Sequence, residues 1–302
     1  MTWPLLDLWR RANCTDRIYL VYFAGGGVVV VLLRDRVPAW PAFLELHLVC
    51  LAVVVVLVLG VHRFSIAHAW YPLVMPLVTF PEVARLNLLF VDSWRDQDLL
   101  AFENWLFREH PTIWLGRFTS PVVSEPLQIG YLSYFVLLIV VASVLYRRRD
   151  RAPFFGVVSA SVLSYMVCYI VFVTFPTEGP AHTLRHLYTQ PIPDGPFHWM
   201  VTVVQRAGVH GNAFPSAHVA GAMVPLVFAW RHARPLGALL TPLVVLLCVG
   251  AVYDRYHYVS DVFAGMALGG AAAWVIMLAQ ASPAWAARLN IMPTRSFQEG
   301  SD

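Results

Sequence analysis

Six stretches of this chain, Ala42–Val61, Leu127–Tyr146, Phe154–Phe175, Phe214–Trp230, Leu236–Tyr253 and Val259–Leu278, run nearly free of charge for close to a bilayer's depth. A helix needs about 20 largely apolar residues to cross the hydrocarbon core. A seventh stretch, Ile18–Leu33, is short and holds Gly25-Gly26-Gly27, but Arg17 and Arg34 flank it as a span requires. An eighth, Ile66–Phe90, is interrupted by Pro72, Pro76 and Pro81. It reads as a kinked span, whose freed backbone groups neighbours re-satisfy, or as a re-entrant or interfacial piece. The expected fold is all-α: a polytopic transmembrane helix bundle of seven or eight spans.

Composition narrows the class further. Of the 302 residues, 58% are hydrophobic and 13% charged, against about 45–50% and about 25% in soluble chains. So few charges cannot build a water-facing surface. A soluble enzyme, a disordered chain and a nucleic-acid binder with a basic face are excluded. The 21 basic and 18 acidic residues leave a net charge of +3, and every basic residue is arginine. The absence of lysine removes Schiff-base chemistry and a lysine phosphate clamp, and suggests a GC-rich bacterial source. Cys14, Cys50, Cys168 and Cys248 lie far apart and read as small buried hydrophobes, without metal spacing or a disulfide framework. The segment Met1–Arg17 carries Asp7 and Asp16 and does not resemble a cleavable signal peptide.

Arginines orient the spans. The run Arg147-Arg148-Arg149-Asp150-Arg151 and the later pair Arg231 and Arg234 both read as cytoplasmic, and they agree in parity. The 176–213 loop and the 254–258 junction then face the periplasmic or extracellular side of a cell (inner) membrane. Residues 91–123 fall on that side too. They mix Trp94, Phe102, Trp105, Phe107 and Trp114 with Arg95, Glu103 and Arg108, as in an amphipathic segment lying at the interface. The chain divides into N-terminal spans with that segment (1–123), a helix bundle carrying the chemistry (124–282) and a cytoplasmic tail (283–302).

Two patterns carry chemistry. Gly211-Asn212-Ala213-Phe214-Pro215-Ser216-Ala217-His218 opens a span. Proline favours a helix's first turn and serine its N-cap, and the free N–H groups there form an anion site beside His218. Tyr256-His257-Tyr258-Val259-Ser260-Asp261 opens the last span. His257 and Asp261 are four residues apart and share a helix face; an aspartate on one ring nitrogen leaves the other free to attack. Asp261 is also costly near a bilayer, where ionisable groups point to function. One in-out excursion separates the two span starts, so both patterns lie on one side of the membrane. Taken alone, each also fits a polar helix end; their order and spacing argue for a site.

These residues resemble the membrane-embedded type 2 phosphatidic acid phosphatase superfamily, with its Pro-Ser-x-His and later His-x-x-x-Asp motifs. The His-Tyr-x-x-Asp form followed by Ala264 and Gly265 is most similar to the branch containing inositol phosphorylceramide synthase. The resemblance implies a lipid phosphate phosphatase or phosphotransferase on the non-cytoplasmic face, with no metal or other cofactor. It implies that His257 attacks phosphorus to form a phosphohistidine, Asp261 orients that ring, and His218 protonates the departing alcohol and then deprotonates the acceptor. Ser216 and Ala217, with nearby backbone N–H groups, would hold the non-bridging oxygens. The partners implied are a lipid phosphate, an alcohol acceptor such as an inositol-type headgroup, and the membrane, with no nucleic acid.

The chain departs from the superfamily at its cations. The first motif's lysine is absent, and Ala181 and Ala251 stand where arginines are usual. Arg185, Arg206 and Arg255 are the replacement candidates for the cationic partner of a phosphoryl group. Arg185 is favoured by following the Gly-Pro turn, whereas Arg255 lies about 200° round an ideal helix from His257. His182, His186, His198 and His210 read as a wet loop. Glu45 and His47 read as snorkelling, paired, or outside the span. Two other functions stay open at this point: a metal-dependent membrane hydrolase using His218, His257 and Asp261, and a catalytically degenerate lipid transporter.

Overall fold

The computed structural model describes residues 4–60, 65–207 and 210–291. Among them the chain is helical, without a strand. Helices α1 (Pro4–Arg11), α2 (Cys14–Leu32), α3 (Trp40–Leu59), α4 (Ser65–Val74) and α5 (Pro76–Arg85) form the N-terminal part. Helices α6 (Asp96–Phe107) and α7 (Pro111–Leu115) follow, then α8 (Pro121–Tyr146), α9 (Ala152–Thr174), α10 (Pro180–Thr183) and α11 (Pro196–Ala207). The chain ends in α12 (Ala217–His232), α13 (Arg234–Tyr253), α14 (Val259–Ala281) and α15 (Pro283–Leu289). Of the expected tail, α15 and its flanks are described; residues 292–302 lie outside the described residues.

Six helices, α2, α3, α8, α9, α13 and α14, are long and apolar enough to cross a membrane, against the seven or eight expected. Two expectations account for the difference. The Phe214–Trp230 span becomes the 16-residue α12, because Phe214 and Pro215 stay outside the helix and Ser216 caps it. At 1.5 Å per residue α12 is about 24 Å long, a short helix enclosed by α8, α9, α13 and α14. The proline-interrupted Ile66–Phe90 stretch becomes two ten-residue helices broken at Met75, with Pro76 opening the second. The segment expected at the interface is α6: Phe102, Trp105 and Leu106 are exposed on one face, while Asp96, Leu99, Leu100 and Glu103 are buried on the other.

Close helix approach builds the C-terminal bundle. A Cβ on Gly269 would stand 2.4 Å from the Ala220 carbonyl oxygen, and one on Gly265 would stand 2.6 Å from that of Ser216. These two glycines, one turn apart, let α14 lie against α12. Gly130 and Gly250 do the same between α8 and α13. Gly270, the next residue on α14, has no neighbour within reach of a Cβ. The two motif-bearing helix starts are thus held side by side. Gly269→Val should lower the melting temperature in detergent, since overpacking costs about 1–3 kcal/mol. Gly270→Val should leave it unchanged; equal effects in thermal melts would place the contact elsewhere.

Candidate active site

The site is assembled by loops whose N–H groups are given to buried side chains. Asp96, 3% exposed at the start of α6, accepts from Glu178 N (2.8 Å), Gly179 N (2.9 Å) and the Tyr258 hydroxyl (3.0 Å). Gly179 has φ +95°, a conformation open to glycine, and a Cβ there would press on Ala213 and the Tyr256 carbonyl. Thr177 extends the connection. Its hydroxyl accepts from Phe214 N at 2.8 Å and its carbonyl from Ala213 N at 3.3 Å. Glu103, two turns after Asp96 on α6, accepts from Ser260 N at 2.9 Å and so caps α14. Burial raises the Glu103 carboxyl above its ordinary range.

His257 lies in the 254–258 junction, 4% exposed. Its Nδ1 is 3.0 Å from the Ala213 carbonyl oxygen and 3.4 Å from Asp261 Oδ2. A carbonyl only accepts, so Nδ1 carries the proton and Nε2 keeps its lone pair. The expected Asp261 contact is present but is the longer of the two; Asp261 Oδ2 also accepts from Tyr258 N at 2.8 Å. The closer partner, a main-chain oxygen of the other motif, leaves no mark in residue types. Burial holds the His257 imidazole down to about 4, opposed by the Ala213 bond. Ala251, in an arginine's place, is fully buried and its carbonyl accepts from the N–H groups of Tyr256 and His257, bracing the junction.

His218 sits in the first turn of α12, its ring 5.8 Å centroid to centroid from that of His257. Tyr131 and Tyr134 of α8 flank it at 5.1 and 4.8 Å. The Tyr131 hydroxyl accepts from Gln205 at 2.9 Å and lies 3.4 Å from His218 Nε2. Both histidines open on a polar cavity of about 290 Å³, whose wall also includes His182, His210, Asn212 and Ala181. An apolar cavity of about 370 Å³, bounded by α4, α5, α8, α9 and α11, adjoins it and shares His218 and Gln205.

The other expected residues are placed differently. Ser216 is fully buried and its oxygen accepts from Val219 N at 3.3 Å, capping α12; Ala217 faces the apolar cavity. Their helix leaves the N–H groups of Ala217 and His218 without an intrahelical acceptor. Arg255 has φ +66°, and its guanidinium lies 4.0 Å over the Tyr188 ring and donates to the Gln190 carbonyl. Arg185 is exposed on the 185–187 turn, and neither arginine lines the polar cavity. The side chain of Arg206 lies outside the described residues. His198 meets Gln128 at 3.3 Å, away from that cavity. Among the described residues no group of three or more His, Cys, Asp or Glu is placed to hold a metal ion.

The PAP2 superfamily model matches residues 97–275, more than half of the chain. No curated protein and no solved structure matches it.

Asp254 sits beside the site, 4% exposed, with neither carboxylate oxygen partnered within the protein. Burial pushes its carboxyl up to about 8, against an ordinary 3.8. Between these values the unfolded chain has lost a proton that the fold retains, so this group lowers stability as pH rises across the window. Asp254→Asn mimics the protonated form. Its melting-temperature advantage over wild type should grow from about pH 5 to about pH 8 and then level off. A pH-independent difference would mean an ionised Asp254 in the fold.

Proposed function

Because this chain belongs to the PAP2 superfamily, whose members are phosphatases and phosphotransferases, we propose that it removes or transfers the phosphoryl group of a lipid phosphate. The observation that carries the lipid reading is the meeting of two cavities at His218. The polar one takes a headgroup between His218 and His257, and the apolar one beside it takes an acyl chain. A polar pocket alone would suit any phosphomonoester. An apolar cavity ending at the same imidazole favours a substrate with a hydrocarbon tail.

In the first step the free Nε2 of His257 attacks phosphorus, and the bond from phosphorus to the lipid alcohol oxygen breaks. Burial, and then the neighbouring His257, hold the His218 ring down to about 3. It takes up its proton as the phosphate anion binds and gives it to that oxygen, and a neutral alcohol leaves. In the second step His218 takes a proton from the acceptor, whose oxygen attacks phosphorus while the N–P bond of the phosphohistidine breaks. His218 is thereby protonated again. Water as acceptor yields phosphate; an alcohol yields a new ester. Asp261 and the Ala213 carbonyl keep the proton on Nδ1 and offset the charge that develops on the attacking ring. Ser216 acts through the helix it caps, aiming the N–H groups of Ala217 and His218 at the developing charge.

The His257-Tyr258-x-x-Asp261 form favours the inositol phosphorylceramide synthase-like branch and hence an alcohol acceptor of the inositol type. The arginine pattern favours a site on the periplasmic or extracellular face of a bacterial inner membrane.

Purified wild-type protein should release or transfer phosphate from lipid phosphates presented in mixed micelles, with inositol-type alcohols as competing acceptors. His257→Ala should abolish turnover and the acid-labile label trapped from radiolabelled substrate. Turnover by wild type without trapped label rejects the covalent route. Because burial keeps the His257 ring neutral and nucleophilic down to about 4, the acid limb of kcat/KM should fall near pH 4. A limb near the ordinary imidazole value of 6.5 would assign it to another group.

A further inference from the structure

Among the described residues the polar cavity shows no permanent cation of the kind a phosphoryl group ordinarily meets. No arginine side chain among those residues lines it; its wall offers Asn212, His182 and His210, with the Glu178 carboxylate paired to His210. Asn212 is 4% exposed, yet neither its Oδ1 nor its Nδ2 has a partner within the protein. A buried carboxamide left unmatched is destabilising, and here it faces a cavity. Its backbone has φ +63°, next to Gly211 at +95°. Asparagine tolerates that conformation better than most residues, but glycine does so at less cost. The carboxamide is therefore what asparagine adds at this position.

The two imidazoles stand at the mouth. His182 and His210 are 4.2 Å apart between ring centroids and nearly perpendicular. Glu178 Oε1 lies 2.6 Å from His210 Nε2, which fixes that ring; Trp94 packs edge-on against its other side at 5.4 Å. We infer that Asn212, His182 and His210 bind the non-bridging oxygens of the substrate's phosphoryl group, one carboxamide and two imidazoles standing in for arginine. The inference rests on the phosphoryl-transfer reading above. Desolvation, and then the neighbouring His210, hold the His182 ring below its ordinary value. A bound anion opposes both effects by stabilising imidazolium.

Asn212→Gly keeps the left-handed backbone and deletes only the carboxamide; the double variant H182A/H210A deletes both rings. Two readouts apply to the full chain in detergent: the rise in melting temperature with added orthophosphate, and KM for dioleoyl phosphatidic acid. Both variants should lose the orthophosphate-induced rise and raise KM about tenfold, with kcat changed less than about threefold. Ala181 lines the same cavity, so adding Ala181→Arg to H182A/H210A should restore both readouts. No orthophosphate effect in wild type, or variants that keep it with KM within about twofold, overturns the inference. If the orthophosphate effect follows the variants while wild type turns over no lipid phosphate, the anion site stands and the lipid reading falls. If His257→Ala silences turnover but Asn212→Gly and H182A/H210A leave both readouts unmoved, this inference alone falls.

Discussion

Everything at the candidate site hangs from the buried carboxylate of Asp96. A carboxyl group taken out of water is costly unless hydrogen-bond partners surround it. Asp96 finds three donors, two main-chain N–H groups of the 176–180 loop and the hydroxyl of Tyr258. The loop fixed in this way presents Thr177 to the Ala213-Phe214 backbone, and the Ala213 carbonyl in turn receives the His257 ring. Hydrogen bonds linked through the main chain therefore run from α6 to Nδ1 of His257. It also answers the constraint on irregular backbone near a membrane, where an unpaired N–H costs far more than in water.

That arrangement explains what residue types revealed and what they concealed. The helix starts at Ala217 and Val259 follow from local chemistry: Ser216 as a cap, and Asp261 four residues after His257. Long apolar runs disclosed α2, α3, α8, α9, α13 and α14 for the same reason, since a span is written in consecutive residues. Asp96 and Glu103 were hidden by the segment around them. Their spacing of seven puts both on one face of α6, yet exposed Trp105 and Phe102 give the same segment an interfacial look. Tyr131, Gln205 and the Ala213 carbonyl carry no motif. Their roles arise from a 74-residue separation in one case and a main-chain atom in the other. Arg255 was readable in part: its position two residues before His257 argued against it, and the positive φ turns it toward Tyr188 instead.

The N-terminal helices α1–α5, which precede the family match, hold their own buried polar groups. Glu82 of α5 accepts from Tyr22 at 2.9 Å and pairs with His47 of α3, whose Nδ1 reaches the Phe23 carbonyl at 2.9 Å. Asp16 of α2 meets His68 at 3.0 Å and Tyr71 at 2.6 Å, both on α4. Of the readings open for His47, the paired one holds, with a partner 35 residues away that no local pattern discloses. Each carboxyl group joins helices that apolar packing alone leaves free to slide, because a shift of one residue strands a buried polar group. The short α4 and α5 are thereby tied to α2 and α3 despite their prolines.

The scarcity of charge that marks this chain as a membrane protein also bears on how it handles a phosphate. A guanidinium is charged whether or not a ligand is present, and beside an apolar cavity it bears the desolvation cost at all times. An imidazole is different: uncharged, it sits in such a wall cheaply, and it gains its proton as the anion arrives. The depressed His257 and His182 fit rings that stay neutral until an anion arrives. Asn212 adds a donor that never needs a charge. On this reading the missing lysine and the alanines at 181 and 251 do not mark a damaged site. The proposed site would shift phosphate affinity from fixed cations to groups whose charge appears with the substrate, which suits a cavity sharing His218 with a hydrocarbon pocket.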